Sequence, residues 1–122
     1  MVKILACAAA AASALLLPCA ALAHAQLIGA SPRVGSTVRA SPAEIHLQFD
    51  DELDDWATSV ELHAADGRGL PLGKAVLIGR PPTGVAVRLP AALPPGTYRV
   101  LWRASSSDGH QSKGDFRFTV RP

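Results

Sequence analysis

Short runs of alternating apolar and polar residues limit the folds that this chain can adopt. Five runs have apolar residues two positions apart: Ile45–Phe49, Val60–Leu62, Val85–Leu89, Tyr98–Trp102 and Phe116–Val120. Successive side chains of a β-strand point to opposite faces, so each run predicts a strand with one buried face and one solvent-exposed face. Two weaker strands are expected around residues 26–30 and 75–78.

Turn-forming residues separate these runs and keep the predicted strands short. They include Ser31-Pro32, Ser41-Pro42, Ala65-Asp66-Gly67, Pro94-Pro95-Gly96 and Asp108-Gly109. Six or seven short strands with such turns predict an all-β fold, an immunoglobulin-like antiparallel Greek-key β-sandwich of about seven strands. A small closed barrel is the main alternative.

The beginning of the chain has the pattern of a cleaved export signal. Lys3 precedes a run of apolar and small residues that ends at Pro18, and Ala21-Leu22-Ala23 supplies the small residues that signal peptidase requires. The run is shorter than the roughly 20 apolar residues of a membrane-spanning helix. We therefore expect residues 1–23 to be removed and residues 24–122 to form one domain.

Loss of the signal would restrict the chemistry available to that domain. The two cysteines, Cys7 and Cys19, and the one methionine, Met1, all precede the cleavage point. Removal of Lys3 from the 12 basic residues leaves 11 against 10 acidic residues, a net charge near +1. Without a basic cluster, this charge gives no electrostatic case for nucleic acid as a partner. The mature chain is thus a thiol-free domain whose stability must come from a packed core.

Four histidines remain as candidate ligands: His24, His46, His63 and His110. His46 lies on the polar face of its strand and His63 ends a strand, so both are expected to be solvated surface residues. Asp108 and His110 are two residues apart, and in an extended segment their side chains would share a face. They could form a hydrogen-bonded pair or two metal ligands. Alternatively, His110 is a solvent-exposed residue at the tip of a hairpin.

His24 would gain a ligand atom from cleavage. As the first residue of the mature chain it would combine its imidazole with an α-amine, a group whose unperturbed pKa is near 8. These two nitrogens can close a chelate ring on one metal ion. A second imidazole would complete a plane of three nitrogens that suits tetragonal Cu(II), and a carboxylate could complete or cap the site.

Three stretches of the sequence together resemble the CopC family of periplasmic copper-binding proteins: HAQLIGASPRVGS, EIHLQFDDEL and GTYRVLWRASSSDGHQSKGDFRFTV. The resemblance spans nearly the whole mature chain and is most specific where a strand, the Asp-x-His triplet and the last strand follow in the family's order. It implies a periplasmic protein that binds Cu(II), one ion per chain, through the amine and imidazole of His24 and the imidazole of His110.

The resemblance also implies roles for neighbouring side chains. Asp108 would be a weak ligand or a group that orients the histidine. The carboxylate that follows the phenylalanine of an early strand corresponds to Asp51, where family members often have glutamate. Because aspartate is shorter by one methylene, Asp50 or Glu52 could substitute for it. Trp102 matches a tryptophan near the family's site, although its strand pattern fits a core residue equally well.

The donor types favour a protein that binds Cu(II) alone. Thioethers suit Cu(I) and a blue-copper centre needs a thiolate, and the mature chain would have neither. We expect a monomeric carrier or buffer for copper homeostasis or resistance, not an enzyme, able to hand copper to an integral membrane partner of the CopD type. The alternatives are a copper-dependent oxidative enzyme with an N-terminal histidine site and a metal-free structural β-sandwich.

Overall fold

The computed structural model describes residues 25–122, so the predicted signal at residues 1–23 and His24 lie outside the described residues. The described chain folds into two packed β-sheets, which confirms the all-β sandwich. The four-stranded sheet has the order β1-β3-β7-β6 and the five-stranded sheet the order β2-β9-β8-β4-β5. The strands are β1 (Leu27–Ser31), β2 (Thr37–Val38), β3 (Glu44–Phe49), β4 (Ser59–His63), β5 (Gly69–Leu70), β6 (Val76–Ile78), β7 (Gly84–Arg88), β8 (Gly96–Ser105) and β9 (Gln111–Val120).

The apolar side chains of the alternating runs meet between the two sheets. Ile45, Leu47 and Phe49 of β3 are buried, as are Tyr98 and Val100 of β8. The residues between them point outward, as the period of two predicts. No helix in the described part of the chain is long and apolar enough to cross a membrane.

Two edge strands were not predicted, because they are too short to show an alternating pattern. β2 and β5 have two residues each and lie at opposite edges of the five-stranded sheet. β2 pairs with β9 in parallel, so this sheet is not antiparallel throughout. The two weaker predicted strands are confirmed as β1 and β6.

A long hairpin of β8 and β9 forms the middle of the five-stranded sheet. The two strands pair from Gly96 opposite Val120 to Ser105 opposite Gln111, leaving residues 106–110 as the connecting turn. Near this turn, the half-buried Trp102 makes an edge-on contact with Phe49 of the other sheet, with ring centroids 5.1 Å apart. The contact joins the two sheets below the turn.

Gly114 leaves the space that this tryptophan occupies. It is the register partner of Trp102, and a Cβ added there would lie 2.6 Å from Cζ2 of the indole. We expect Gly114→Ala to lower the free energy of unfolding by about 1–3 kcal/mol, the usual cost of overpacking. Chemical denaturation followed by tryptophan fluorescence measures this loss. Gly69→Ala is the control, since an added Cβ there meets nothing within 4 Å; equal losses in both variants would contradict the explanation.

Candidate metal centre

The turn between β8 and β9 holds Asp108 and His110 in direct contact. Nδ1 of His110 lies 3.0 Å from Oδ1 of Asp108, and the backbone N–H of His110 donates to the same oxygen at 3.1 Å. Both residues lie outside the strands. The contact therefore comes from the turn and not from the extended geometry on which the prediction was based.

A buried serine determines the shape of this turn. Ser106 has no exposed surface, and its hydroxyl donates to Oδ1 of Asp108. Its backbone N–H donates to the carbonyl of His110 at 2.8 Å. Gly109 adopts a φ of 89°, a left-handed conformation that favours glycine. Sequence reasoning missed Ser106, because one serine within the run SSSDGH carries no sign that it is buried.

Three donors converge on Asp108 and lower its pKa from 3.8 to about 2. The hydrogen bond from Ser106 has the largest effect, followed by those from the backbone and side chain of His110. Because the pKa is lower in the folded chain, these contacts stabilise the fold above the usual pKa, and their contribution is lost as the pH falls towards 2. An ionised carboxylate on one nitrogen of an imidazole is the arrangement that orients metal-binding histidines.

The acidic loop that follows β3 runs alongside this turn. The N–H of Ser107 donates to the carbonyl of Glu52 at 3.0 Å. Oδ1 of Asp51 accepts the N–H of Glu52 at 2.8 Å, a contact within its own loop. Within the described part of the chain, no three histidine, cysteine, aspartate or glutamate side chains are gathered in a group that could hold a metal. The structure thus brings the loop of Asp51 to the site, but it does not place this carboxylate on the pair in the turn.

The first two described residues, Ala25 and Gln26, lie at the same end of the sandwich as the turn. We call them the N-terminal arm. Ala25 is fully buried, and its carbonyl accepts the hydroxyl of Ser112 at 2.5 Å. The N–H of Gln26 donates to Oδ1 of Asp50 at 2.7 Å, and the N–H of Asp50 donates to the carbonyl of Gln26 at 3.0 Å. Because Ser112 follows His110 by two residues, the arm is bound beside the turn.

The two other described histidines lie on the outer faces of the sheets. Nε2 of His63 is 3.5 Å from a carboxylate oxygen of Glu61. Nε2 of His46 is buried and has no hydrogen-bond partner among the described residues. The prediction that His46 is a solvated surface residue is therefore wrong for its Nε2 atom. The cause is Gly84. Because this residue has no side chain, Nε2 of His46 can lie 3.2 Å from the position that a Cβ would take there.

Comparison with known proteins shows the family to which this fold belongs. The family model of the CopC domain matches residues 27–121. Copper resistance protein C of Escherichia coli is 35% identical over 107 residues, which cover 83% of this chain and 84% of that protein. The crystal structure of CopC from Methylosinus trichosporium OB3b has a TM-score of 0.75 at 31% identity, covering 81% of this chain and 95% of the other. PcoC, a methionine-rich copper resistance protein from Escherichia coli, has a TM-score of 0.68 at 34% identity, covering 81% of this chain and 100% of the other. The chain belongs to the CopC family of copper resistance proteins.

Proposed function

We propose that this protein is an exported carrier or buffer that holds one Cu(II) beside the turn between β8 and β9. The ligands are the amine and imidazole of His24, as the first residue of the mature chain, and the imidazole of His110. Asp108 orients that imidazole or binds weakly, and Asp51 supplies a further carboxylate. The observation that carries the proposal is the contact of Asp108 with His110 next to a bound N-terminal arm.

The anchoring of the arm supports the role of His24. Consecutive Cα atoms are about 3.8 Å apart, so a chain that begins one residue before Ala25 begins at this end of the sandwich. The hydroxyl of Ser112 holds the carbonyl of Ala25 only two residues from His110. We therefore propose that a mature chain starting at His24 directs its amine towards the turn.

Asp51 is favoured over Glu52 by the resemblance of the sequence, and over Asp50 by the contacts that the two aspartates make. Asp50 accepts a hydrogen bond from the arm at Oδ1. Glu52 is exposed, and its described contact with the turn is through its backbone carbonyl. Asp51 is half-buried, and its described hydrogen bond is to the next N–H of the chain. The Asp51 carboxylate can therefore turn towards the ion at the cost of a local contact alone, whereas that of Asp50 would have to release the arm.

The donor set and its exposure support a Cu(II) carrier. Amine, imidazole and carboxylate donors suit Cu(II), whereas the sulfur donors that suit Cu(I) would be removed with residues 1–23. PcoC, by contrast, is described as methionine rich. The side chains of His110 and Asp108 are 54% and 48% exposed. An ion bound there is accessible to a second protein, which supports transfer of copper to a membrane partner of the CopD type. The export signal that the sequence predicts supports a periplasmic location, where we propose that the chain acts as a monomer.

The free α-amine of His24 gives the most direct test. Cu(II) affinity, measured by competition with a chelator, should be highest for the chain that begins at His24. A chain with one extra residue and a chain with an acetylated α-amine should bind orders of magnitude more weakly, because neither has the amine of His24. His110→Ala should also bind weakly, while His63→Ala, which alters a histidine on an outer sheet face, should match the wild type. Equal affinity of the blocked and free chains would refute the ligand set.

Protonation of the nitrogen ligands, and not of Asp108, should determine the pH at which copper is released. Amine and imidazole bind copper only when deprotonated, whereas the lowered pKa of Asp108, about 2, keeps that carboxylate ionised throughout. Chelator competition should therefore show a steep loss of affinity between about pH 8 and about pH 5. Asp108→Asn should weaken binding by about 10- to 100-fold at each of these pH values, as expected for a group that orients a ligand. A flat affinity over this range would exclude the amine and imidazole.

Reduction should remove the metal from the protein. The mature chain offers neither thioether nor thiolate to Cu(I). Ascorbate added to the copper-loaded protein with a chromogenic Cu(I) chelator should transfer all the copper to the chelator, as read from its absorbance. The same mixture without ascorbate is the control and should leave Cu(II) on the protein. Copper that stays on the protein after reduction would contradict a site for Cu(II) alone.

A further inference from the structure

We propose that Asp50 and Ser112 are positioning residues, which hold the N-terminal arm so that the start of the mature chain meets His110. This inference rests on the proposed copper site and deepens it. Neither residue need touch the ion. Their side chains instead bind the backbone of the two residues that follow His24, and so limit where its amine and imidazole can lie.

The arm is bound on both sides by groups from different parts of the fold. Asp50 exchanges two hydrogen bonds with Gln26, one through its carboxylate at 2.7 Å and one through its own N–H at 3.0 Å. Ser112, at the start of β9, holds the carbonyl of Ala25 at 2.5 Å. The arm thus bridges the loop after β3, which carries Asp51, and the start of β9, which directly follows the turn that carries Asp108 and His110.

The arm needs these contacts because the regular sheet begins after it. The ladder of β1 with β3 starts at Leu27 opposite Phe49, and its register shifts between Leu27 and Gly29. The first residues of a chain fray unless something ties them down. A terminal ligand that moves freely loses conformational entropy when the ion binds, and this loss lowers the affinity. A ligand that is already held in place avoids the loss. Affinity should therefore depend on Asp50 and Ser112 even though they are not ligands.

The contact made by Asp50 distinguishes a positioning residue from a ligand. Its Oδ1 accepts a backbone N–H, a task that the amide oxygen of asparagine also performs. Asp50→Asn should therefore keep most of the Cu(II) affinity, with a smaller loss because a charged acceptor makes the stronger hydrogen bond. Asp50→Ala leaves no acceptor and should weaken binding by about 10- to 100-fold, the usual effect of losing a group that orients a ligand.

Ser112 provides a second test through a different strand. Ser112→Ala should weaken Cu(II) binding in the same direction as Asp50→Ala, and Ser112→Thr, which keeps a hydroxyl, should restore it. The matched control is Asp66→Ala. Asp66 accepts the N–H of Arg68 at 2.9 Å in the loop between β4 and β5, so the variant loses the same kind of hydrogen bond away from the arm. Its copper affinity should equal that of the wild type.

The experiment uses mature chains that begin at His24 and three measurements. Amide hydrogen exchange of the metal-free protein should show faster exchange at Gln26 in Asp50→Ala and not in Asp66→Ala. Chelator competition gives the affinity, and the Cu(II) EPR spectrum reports how many nitrogens bind. In a His24→Ala background whose α-amine is acetylated, Asp50→Ala should cost much less affinity than in the wild type, because the arm then carries neither an amine nor an imidazole to position.

Each outcome bears on one of the two proposals. If His24→Ala and acetylation leave affinity unchanged, the proposed copper site itself fails. If those changes weaken binding while Asp50→Ala and Ser112→Ala do not, the site stands and the positioning role is wrong. If Asp50→Asn binds as weakly as Asp50→Ala and Gln26 stays protected from exchange in the asparagine variant, Asp50 is a ligand, and the positioning role is again overturned.

Discussion

The ladder between β8 and β9 is the constraint on which the rest of the structure depends. Its ten residue pairs run without a break in register from Gly96 opposite Val120 to Ser105 opposite Gln111. The inward side chains of both strands supply six of the fourteen buried apolar residues of the described core, and the contact of Trp102 with Phe49 attaches the ladder to the other sheet. A turn at the end of such a ladder cannot shift without breaking pairs that the core holds in place. The proposed site is therefore positioned by the same interactions that stabilise the fold.

Most of the fold was accessible from the sequence, because burial on one face of a strand leaves a period of two in the residues. Ile45, Leu47 and Phe49 gave both the position of β3 and its buried side. The two-residue strands β2 and β5 could not be found in this way, since a pattern needs more positions than they have. The start of β9 was placed too late for a related reason. Gly114 interrupts the alternation of apolar and polar residues. Its role is apparent only from the structure, where Trp102 lies over it.

The site was less accessible, because its geometry depends on contacts between residues far apart in the chain. Spacing brought Asp108 and His110 to attention, but their contact arises from a turn held by the buried hydroxyl of Ser106. The hold of Ser112 on Ala25 joins residues 87 positions apart, and nothing in either local sequence indicates it. The sequence left Asp50 open as an alternative to Asp51 for the carboxylate ligand, and it gave no sign that Oδ1 of Asp50 accepts a hydrogen bond from the arm.

The position of the arm gives the proposed signal cleavage a structural meaning. A terminal amine is a useful ligand only if the residues behind it are ordered, since otherwise the entropy of the free end opposes binding. Here Ala25 is fully buried, and hydrogen bonds from two separate segments hold the two residues of the arm. A chain that keeps its leader would have the same arm but a peptide nitrogen in place of the amine at His24. In the proposed mechanism the fold therefore prepares the place for the metal, and cleavage after Ala23 supplies the last donor.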